Sequence, residues 1–147
     1  MPVNTEAIGK AYDAVTYTVG REKIREYASA IGATNPVHFE ADAAKADGFR
    51  DIVAPPMFCV VYSSRAMGPA VLDPEVGINF ATMVHGGQVF EWSEPVCAGD
   101  EISTIARVTD IRERGGMGFY VFESVSSNQD GDETVRGTWT NIVRGVS

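Results

Sequence analysis

The chain has 147 residues, of which 44% are hydrophobic and 22% are charged, a composition close to that of ordinary globular domains. This composition excludes disordered, collagen-like and coiled-coil chains. The 12 Lys and Arg residues against 20 Asp and Glu residues give a formal net charge of −8, which is the wrong sign for a surface that follows nucleic-acid phosphates.

The first third of the chain predicts a short strand and two helices. Residues 12–19 alternate apolar residues with Thr or Asp, which predicts a strand. In residues 21–31 apolar residues recur at spacings of three and four, which predicts an amphipathic helix that ends at Gly32. A short polar helix is predicted over residues 40–47, before Gly48.

A third helix, over residues 57–67, differs from the others in its apolar character. Pro55 and Pro56 precede it, and Gly68-Pro69 predicts its end. The first half of this helix is apolar all round. We therefore expect other structure to enclose it.

From residue 79 onward the chain has strand character. Hairpin turns are predicted at Gly115-Gly116 and Asp130-Gly131, so the strands form an antiparallel sheet. One face of this sheet is more apolar and needs a cover, which the helix over residues 57–67 supplies. The residues thus predict an α+β fold in a single domain, 1–147, with a sheet curled around one central helix. The predicted strands cover residues 81–84, 89–92, 101–114, 117–127 and 134–143.

Signals for the membrane and for secretion are missing from the sequence. No apolar run approaches the roughly 18 residues of a membrane span, and the first ten residues lack the pattern of a signal peptide. We expect a cytoplasmic protein with neither membrane nor nucleic acid as partner. Cys59 and Cys97 show neither metal-ligand spacing nor a disulfide framework, which predicts two reduced thiols.

The segment 31–38 holds His38, one of two histidines in the chain. A histidine exchanges protons near neutral pH, and the preceding Asn35-Pro36 imposes a stiff, non-helical turn that fixes where the ring points. This pattern predicts a proton-transfer residue. The alternative is a loop histidine whose ring nitrogens are satisfied by backbone carbonyls and do no chemistry.

This segment resembles the hydratase motif of the MaoC-like dehydratases, the (R)-specific enoyl-thioester hydratases. Their motif is Gly-Asp-x-Asn-Pro-[Leu/Ile/Val]-His, with Ala or Ser six places on. Residues 19–28, 52–58, 85–88 and 94–100 resemble further motifs of the single-domain members. The residues that match the hydratase motif are Gly32, Asn35, Pro36, Val37, His38 and Ala44.

The resemblance implies a hotdog fold, which normally dimerises edge to edge into one continuous sheet, so we expect a homodimer, with a heterodimer of homologous chains as the alternative. It also implies an activity in fatty-acid metabolism: reversible loss of water from a (3R)-3-hydroxyacyl thioester of coenzyme A or acyl carrier protein, giving the trans-2-enoyl thioester. No metal or redox cofactor is implied. In the family the motif's Asp and His hold a water between them, and a backbone N–H at the start of the central helix stabilises the thioester oxygen.

Two positions depart from the family pattern. Ala33 stands where the family has its catalytic Asp, and the nearest carboxylates in sequence, Glu40 and Asp42, lie on a helix expected to direct them to solvent. Pro56 stands where active members usually have a glycine, and proline has no N–H to donate. The next donor is the N–H of Met57.

Three interpretations of the function follow. The first is an active dehydratase or hydratase with His38 and Asn35 in the site and substrate contacts at Pro56, Met57, His85 and Gly86. The second is a non-catalytic, acyl-binding subunit, joined to a homologous chain that supplies the Asp–His pair, rather than a homodimer. The third is a hotdog thioesterase, which the absence of any carboxylate from residues 57–67 disfavours. A hotdog protein that binds another apolar ligand stays open as well.

Overall fold

A five-stranded antiparallel sheet forms the framework of the protein, as seen in a computed structural model that describes residues 2–146. Its strands run in the order β1-β3-β4-β5-β2. The strands β2 and β1 therefore lie at the two edges. The strands are β1 (Val15–Thr18), β2 (Met83–Trp92), β3 (Glu101–Arg114), β4 (Met117–Ser127) and β5 (Glu133–Arg144).

Three α-helices and four short 3-10 turns are the other regular elements of residues 2–146. The helices are α1 (Arg21–Ala30), α2 (Ala41–Ala46) and α3 (Cys59–Val71). None of the helices in residues 2–146 combines the length and the apolar character that a membrane crossing needs.

The helix α3 packs on the inner face of the sheet, mainly against β3 and β4. Its buried residue Ala66 packs in one core cluster with Ala106 and Phe122. Its buried residue Tyr62 packs in a second cluster with Ile102 and Val135. The predicted α+β arrangement, a sheet around a central helix, is therefore confirmed. Ser64, in the second half of the helix predicted over residues 57–67, is exposed.

Helix α3 begins and ends later in the chain than the sequence predicted. A 3-10 turn over Pro56–Phe58 precedes the helix, and the helix continues through Gly68 and Pro69 to Val71. The expected stop at Gly68-Pro69 was wrong. Ala70 is completely buried in the core, and this burial outweighs the local preference of Gly-Pro for ending a helix.

The strand predictions differ mainly at the two sheet edges. The strand predicted over residues 12–19 is reduced to β1, and the two segments predicted near residue 85 form one strand, β2, with an irregularity between His85 and Gly87. The turn at Gly115-Gly116 is confirmed, since both glycines have positive φ, 60° and 75°.

Candidate functional site

His38 is held by a single 3-10 turn over Pro36–His38. The Asn35 side chain caps this turn, because its Oδ1 accepts a hydrogen bond from the Val37 N–H at 3.2 Å. The His38 N–H donates to the Asn35 carbonyl at 3.1 Å. Asn35 thus acts on the backbone of the turn and fixes the origin of the histidine side chain.

The ring of His38 is oriented by the backbone of Val53. The His38 Nδ1 atom lies 2.6 Å from the Val53 carbonyl oxygen. A carbonyl oxygen only accepts hydrogen bonds, so Nδ1 carries the hydrogen and Nε2 of the neutral ring keeps its lone pair. The Val53 N–H in turn donates to the Val37 carbonyl at 2.9 Å, which ties the two segments together.

A cavity of about 370 Å³ opens beside His38, within the usual size range for small-molecule sites. Asn35 and His38 line it, together with Pro56, Phe58 and Trp92. Most of the remaining wall is apolar. It is contributed by Val37, Phe49, Val53, Ala54, Pro55, Pro95 and Val96.

The most deeply buried polar groups of the cavity wall are Cys59, Tyr62 and Thr134, with 2%, 3% and 1% of their surface exposed. Burial raises the pKa of the Cys59 thiol to about 11. Burial also raises the pKa of Tyr62, and a hydrogen bond with Thr134 opposes this shift. All three groups are therefore neutral at physiological pH, and this end of the cavity suits an uncharged ligand.

The entry to α3 forms another part of the cavity wall. Pro56 lines the cavity, and its carbonyl accepts a hydrogen bond from the Trp92 indole at 2.8 Å. The Phe58 N–H is occupied by the Pro55 carbonyl. The Met57 side chain is 44% exposed and is not part of the cavity wall.

Position 33 supplies no acid, and its side chain does not reach the cavity wall. The Ala33 N–H donates to the Ala28 carbonyl at 2.9 Å. Glu40 and Asp42 are exposed and lie outside the cavity. The carboxylates that do line it are Asp47 and Glu94, both exposed to solvent.

The structure does not bring His85 and Gly86 to this cavity. Trp92 lies on the same strand and lines the cavity, but His85 comes seven residues earlier, about 23 Å away at roughly 3.3 Å per residue. The His85 ring instead packs edge-on to Trp139 at 6.2 Å. At Gly86 a Cβ atom would lie 2.5 Å from Cδ1 of Ile142, so the glycine allows close approach of that side chain.

Both cysteines are free and buried. Only Cys59 of the two lines the cavity. Within residues 2–146 no three His, Cys, Asp or Glu side chains group in a way that could hold a metal ion.

Sequence reasoning overlooked two contributors to the site, Trp92 and the Val53 carbonyl. The alternation of Phe90 and Trp92 along a strand was a usable signal for Trp92, because it places both rings on the inner face. No side-chain pattern reveals a backbone carbonyl as the partner of a histidine.

Comparison with known proteins places this site in context. A family model described as FAS1-like, dehydratase domain region, matches residues 6–136. A UPF0336 protein of Clavibacter michiganensis subsp. michiganensis is 41% identical over 146 residues, which are 99% of this chain and 98% of the relative.

Two solved structures share both fold and sequence with the chain. One is the C-terminally truncated HadBC (3R-hydroxyacyl-ACP dehydratase) complex of Mycobacterium tuberculosis, with a TM-score of 0.84, 26% identity and coverage of 95% of this chain and 99% of that one. The other is a MaoC-like dehydratase, with a TM-score of 0.84, 28% identity and coverage of 94% of this chain and 42% of that one. These matches confirm the resemblance that the motifs predicted, together with the hotdog fold.

Proposed function

Because the chain belongs to the FAS1-like dehydratase-region family, we propose that it is the acyl-binding subunit of a two-chain (3R)-3-hydroxyacyl-thioester dehydratase. The cavity beside His38 holds the acyl thioester, carried by coenzyme A or by an acyl carrier protein. A homologous chain supplies the carboxylate–histidine pair that removes a proton from C2 and protonates the hydroxyl leaving C3, so that water and the trans-2-enoyl thioester form.

One observation carries this proposal: the cavity is intact, but position 33 supplies no acid to pair with His38. Position 33 is alanine, and neither Glu40 nor Asp42 lines the cavity. The thioester-binding N–H is also altered, since Pro56 has none. The loss of both chemical groups, with the binding space retained, favours a binding role.

A second chain has a place to attach at β2. This ten-residue edge strand pairs only with β5 among the described strands, and Val84 and Val89 on it are 46% and 59% exposed. A long edge strand with exposed apolar side chains is a ready template for pairing with another chain. A complex of homologous chains, as in the HadBC match, is the form we propose over a homodimer.

The geometry of His38 favours a second candidate, a slow hydratase that acts without a partner. Its Nε2 keeps a lone pair beside the cavity and accepts a proton without help from position 33. General acid–base groups contribute about 10²–10⁴-fold each, so the chain alone would turn over slower by about that factor.

The deciding experiment measures binding and turnover separately. Calorimetry with a trans-2-enoyl thioester tests binding to the chain alone, and loss of the enoyl absorbance tests hydration with and without a co-expressed homologue that carries the complete Asp–His motif. We expect binding by the chain alone and an increase in turnover of about 10²–10⁴-fold in the complex over the chain alone. Absence of binding, or full turnover by the chain alone, contradicts the proposal.

A further inference from the structure

Asp100 is a fully buried carboxylate outside the cavity, and two of its partners, Arg50 and Gln129, come from distant segments of the chain. Its side chain is 0% exposed. Arg50 forms a two-pronged ion pair with it, at 2.7 Å to Oδ1 and 3.0 Å to Oδ2. Gln129 donates to Oδ1 at 3.1 Å, and the Cys97 N–H donates to Oδ2 at 2.9 Å.

The bonds of Asp100 clamp a small two-stranded element, residues 52–54 against residues 96–98. In this element the Ala54 N–H donates to the Val96 carbonyl at 2.8 Å, and the Ala98 N–H donates to the Ile52 carbonyl at 2.9 Å. Asp100 binds the backbone of one side directly, at Cys97. It binds the other side through Arg50, two residues before Ile52.

The central residue of this element, Val53, also contacts the segment that carries His38. Val53, at its centre, bridges Cys97 on one side. On the other side it donates to the Val37 carbonyl and accepts the hydrogen bond from the His38 Nδ1 atom. A displacement of residues 52–54 therefore moves the carbonyl that decides which ring nitrogen of His38 carries the hydrogen.

We propose that Asp100, paired with Arg50, is a positioning residue that holds the Val53 carbonyl against His38 and so fixes the ring in its Nδ1–H form. Nε2 is then the nitrogen available to a molecule in the cavity. The consequence for catalysis rests on the proposed function, whereas the state of the ring does not.

The test determines which ring nitrogen of His38 carries the hydrogen. It uses long-range ¹H–¹⁵N NMR of the folded protein at about pH 8, where an ordinary histidine is neutral. The chain has two histidines, so His85→Gln assigns the signals. We expect the Nδ1–H form in the unaltered chain and a mixture of both neutral forms in Asp100→Asn. Asp73→Asn is the matched control, because Asp73 also carries an ion pair and backbone and side-chain hydrogen bonds, but far from His38.

Arg50→Lys is the second variant if Asp100→Asn does not fold. It keeps a positive charge opposite the buried carboxylate and removes the planar two-pronged contact. A His38 ring that keeps its wild-type form in the folded variant overturns the proposal, as does an equal change in Asp73→Asn.

Kinetics separate this inference from the proposed function. In a chain made active by Ala33→Asp, Asp100→Asn should lower kcat by about 10-fold, which is part of the roughly 10²–10⁴-fold that a general base contributes, and leave thioester affinity unchanged. If the chain binds no thioester, the proposed function fails while the NMR result still stands. A loss of affinity with unchanged kcat would contradict the positioning role.

Discussion

The Nδ1 atom of His38 and the carbonyl oxygen of Val53 lie 2.6 Å apart, across 15 residues of chain. This contact converts a loop histidine into one with a defined donor and a defined acceptor. It also joins the two sequence interpretations of His38. The ring is bound to a backbone carbonyl, as in the structural interpretation, and still presents a nitrogen beside a cavity, as in the catalytic one.

Restoring the acid at position 33 should create activity. We expect Ala33→Asp to raise hydration of a trans-2-enoyl thioester by the chain alone by roughly 10²-fold, because a carboxylate then completes the pair with His38. Enoyl absorbance is the measurement. His38→Gln in the same background should return the rate to its starting value.

If Ala33→Asp has no effect on turnover while the thioester still binds, the missing carboxylate is not the sole defect. Pro56 is then the next position to change, and Pro56→Gly adds the missing N–H at the helix entry.

A ligand bound in the cavity should protect Cys59 from alkylation but not Cys97. Cys59 and Cys97 are both buried, but only Cys59 lines the cavity. A bound acyl thioester should slow alkylation of Cys59 by a small apolar reagent and leave Cys97 unaffected, as measured by mass spectrometry of each peptide. Equal protection of both thiols would indicate a general tightening of the protein instead.

The alkylation of Cys59 should also depend steeply on pH. Its pKa of about 11, against 9.0 for an ordinary thiol, leaves about 100-fold less thiolate at neutral pH. The thiolate is the reactive form, so the rate should rise about tenfold per pH unit up to about pH 11. A plateau near pH 9 would show an unperturbed thiol.

Lowering the pH should remove the stabilisation that the ionised side chain of Asp73 provides. The Lys10 ammonium and the Tyr12 hydroxyl hold the pKa of Asp73 at about 2, below its ordinary 3.8. This contribution is complete above pH 3.8 and is lost as the pH falls toward 2. Asp73→Asn should therefore flatten the dependence of the unfolding free energy on pH in this range.

The exposed Asp42 on α2 supplies the control for this measurement. Chemical denaturation at several pH values should give Asp42→Asn the same slope between pH 4 and 2 as the unaltered chain. An unchanged slope in Asp73→Asn would show that the Lys10–Asp73 contact is not maintained in solution.

Replacement by alanine should change the free energy of unfolding differently at Gly137 on β5 and at Gly87 on the adjacent strand β2. At Gly137 a Cβ atom would lie 2.7 Å from Ser124 Oγ and 2.8 Å from Trp139 Nε1, which are joined by a hydrogen bond of 2.8 Å. Gly137→Ala should cost about 1–3 kcal/mol of unfolding free energy, as overpacking usually does. Urea denaturation measures it.

Gly87 on the adjacent strand is the counterpart. Its nearest neighbour for an added Cβ is Thr140 Cβ at 3.8 Å, an ordinary contact. Gly87→Ala should be neutral or stabilise by up to about 1 kcal/mol, because alanine loses less backbone entropy on folding. A similar loss at both positions would point to general weakening of the β2–β5 pair.

The parts of the structure that follow local rules were predictable from sequence. β4 has the bounds that its alternation predicted, and the Gly115-Gly116 turn has the positive φ angles that such a hairpin requires. The end of α3 was not predictable, because burial of Ala70 depends on strands far away in sequence.

The candidate site likewise combines residues that the sequence predicts with contributors that it does not. His38 and Asn35 share a short motif that local chemistry explains, and the structure keeps them together. Trp92 and Thr134 reach the cavity only through sheet pairing, and the Val53 carbonyl acts through a backbone atom. Such contributors depend on tertiary contacts, which a pattern in one sequence does not encode.

The turn that carries His38 is built without any help from the side chain at position 33. The Ala33 amide binds Ala28, and the cap comes from Asn35. A change of side chain at position 33 therefore leaves the hydrogen bonds of this turn in place. The presentation of the imidazole and the presence of an acid beside it can thus change independently of each other.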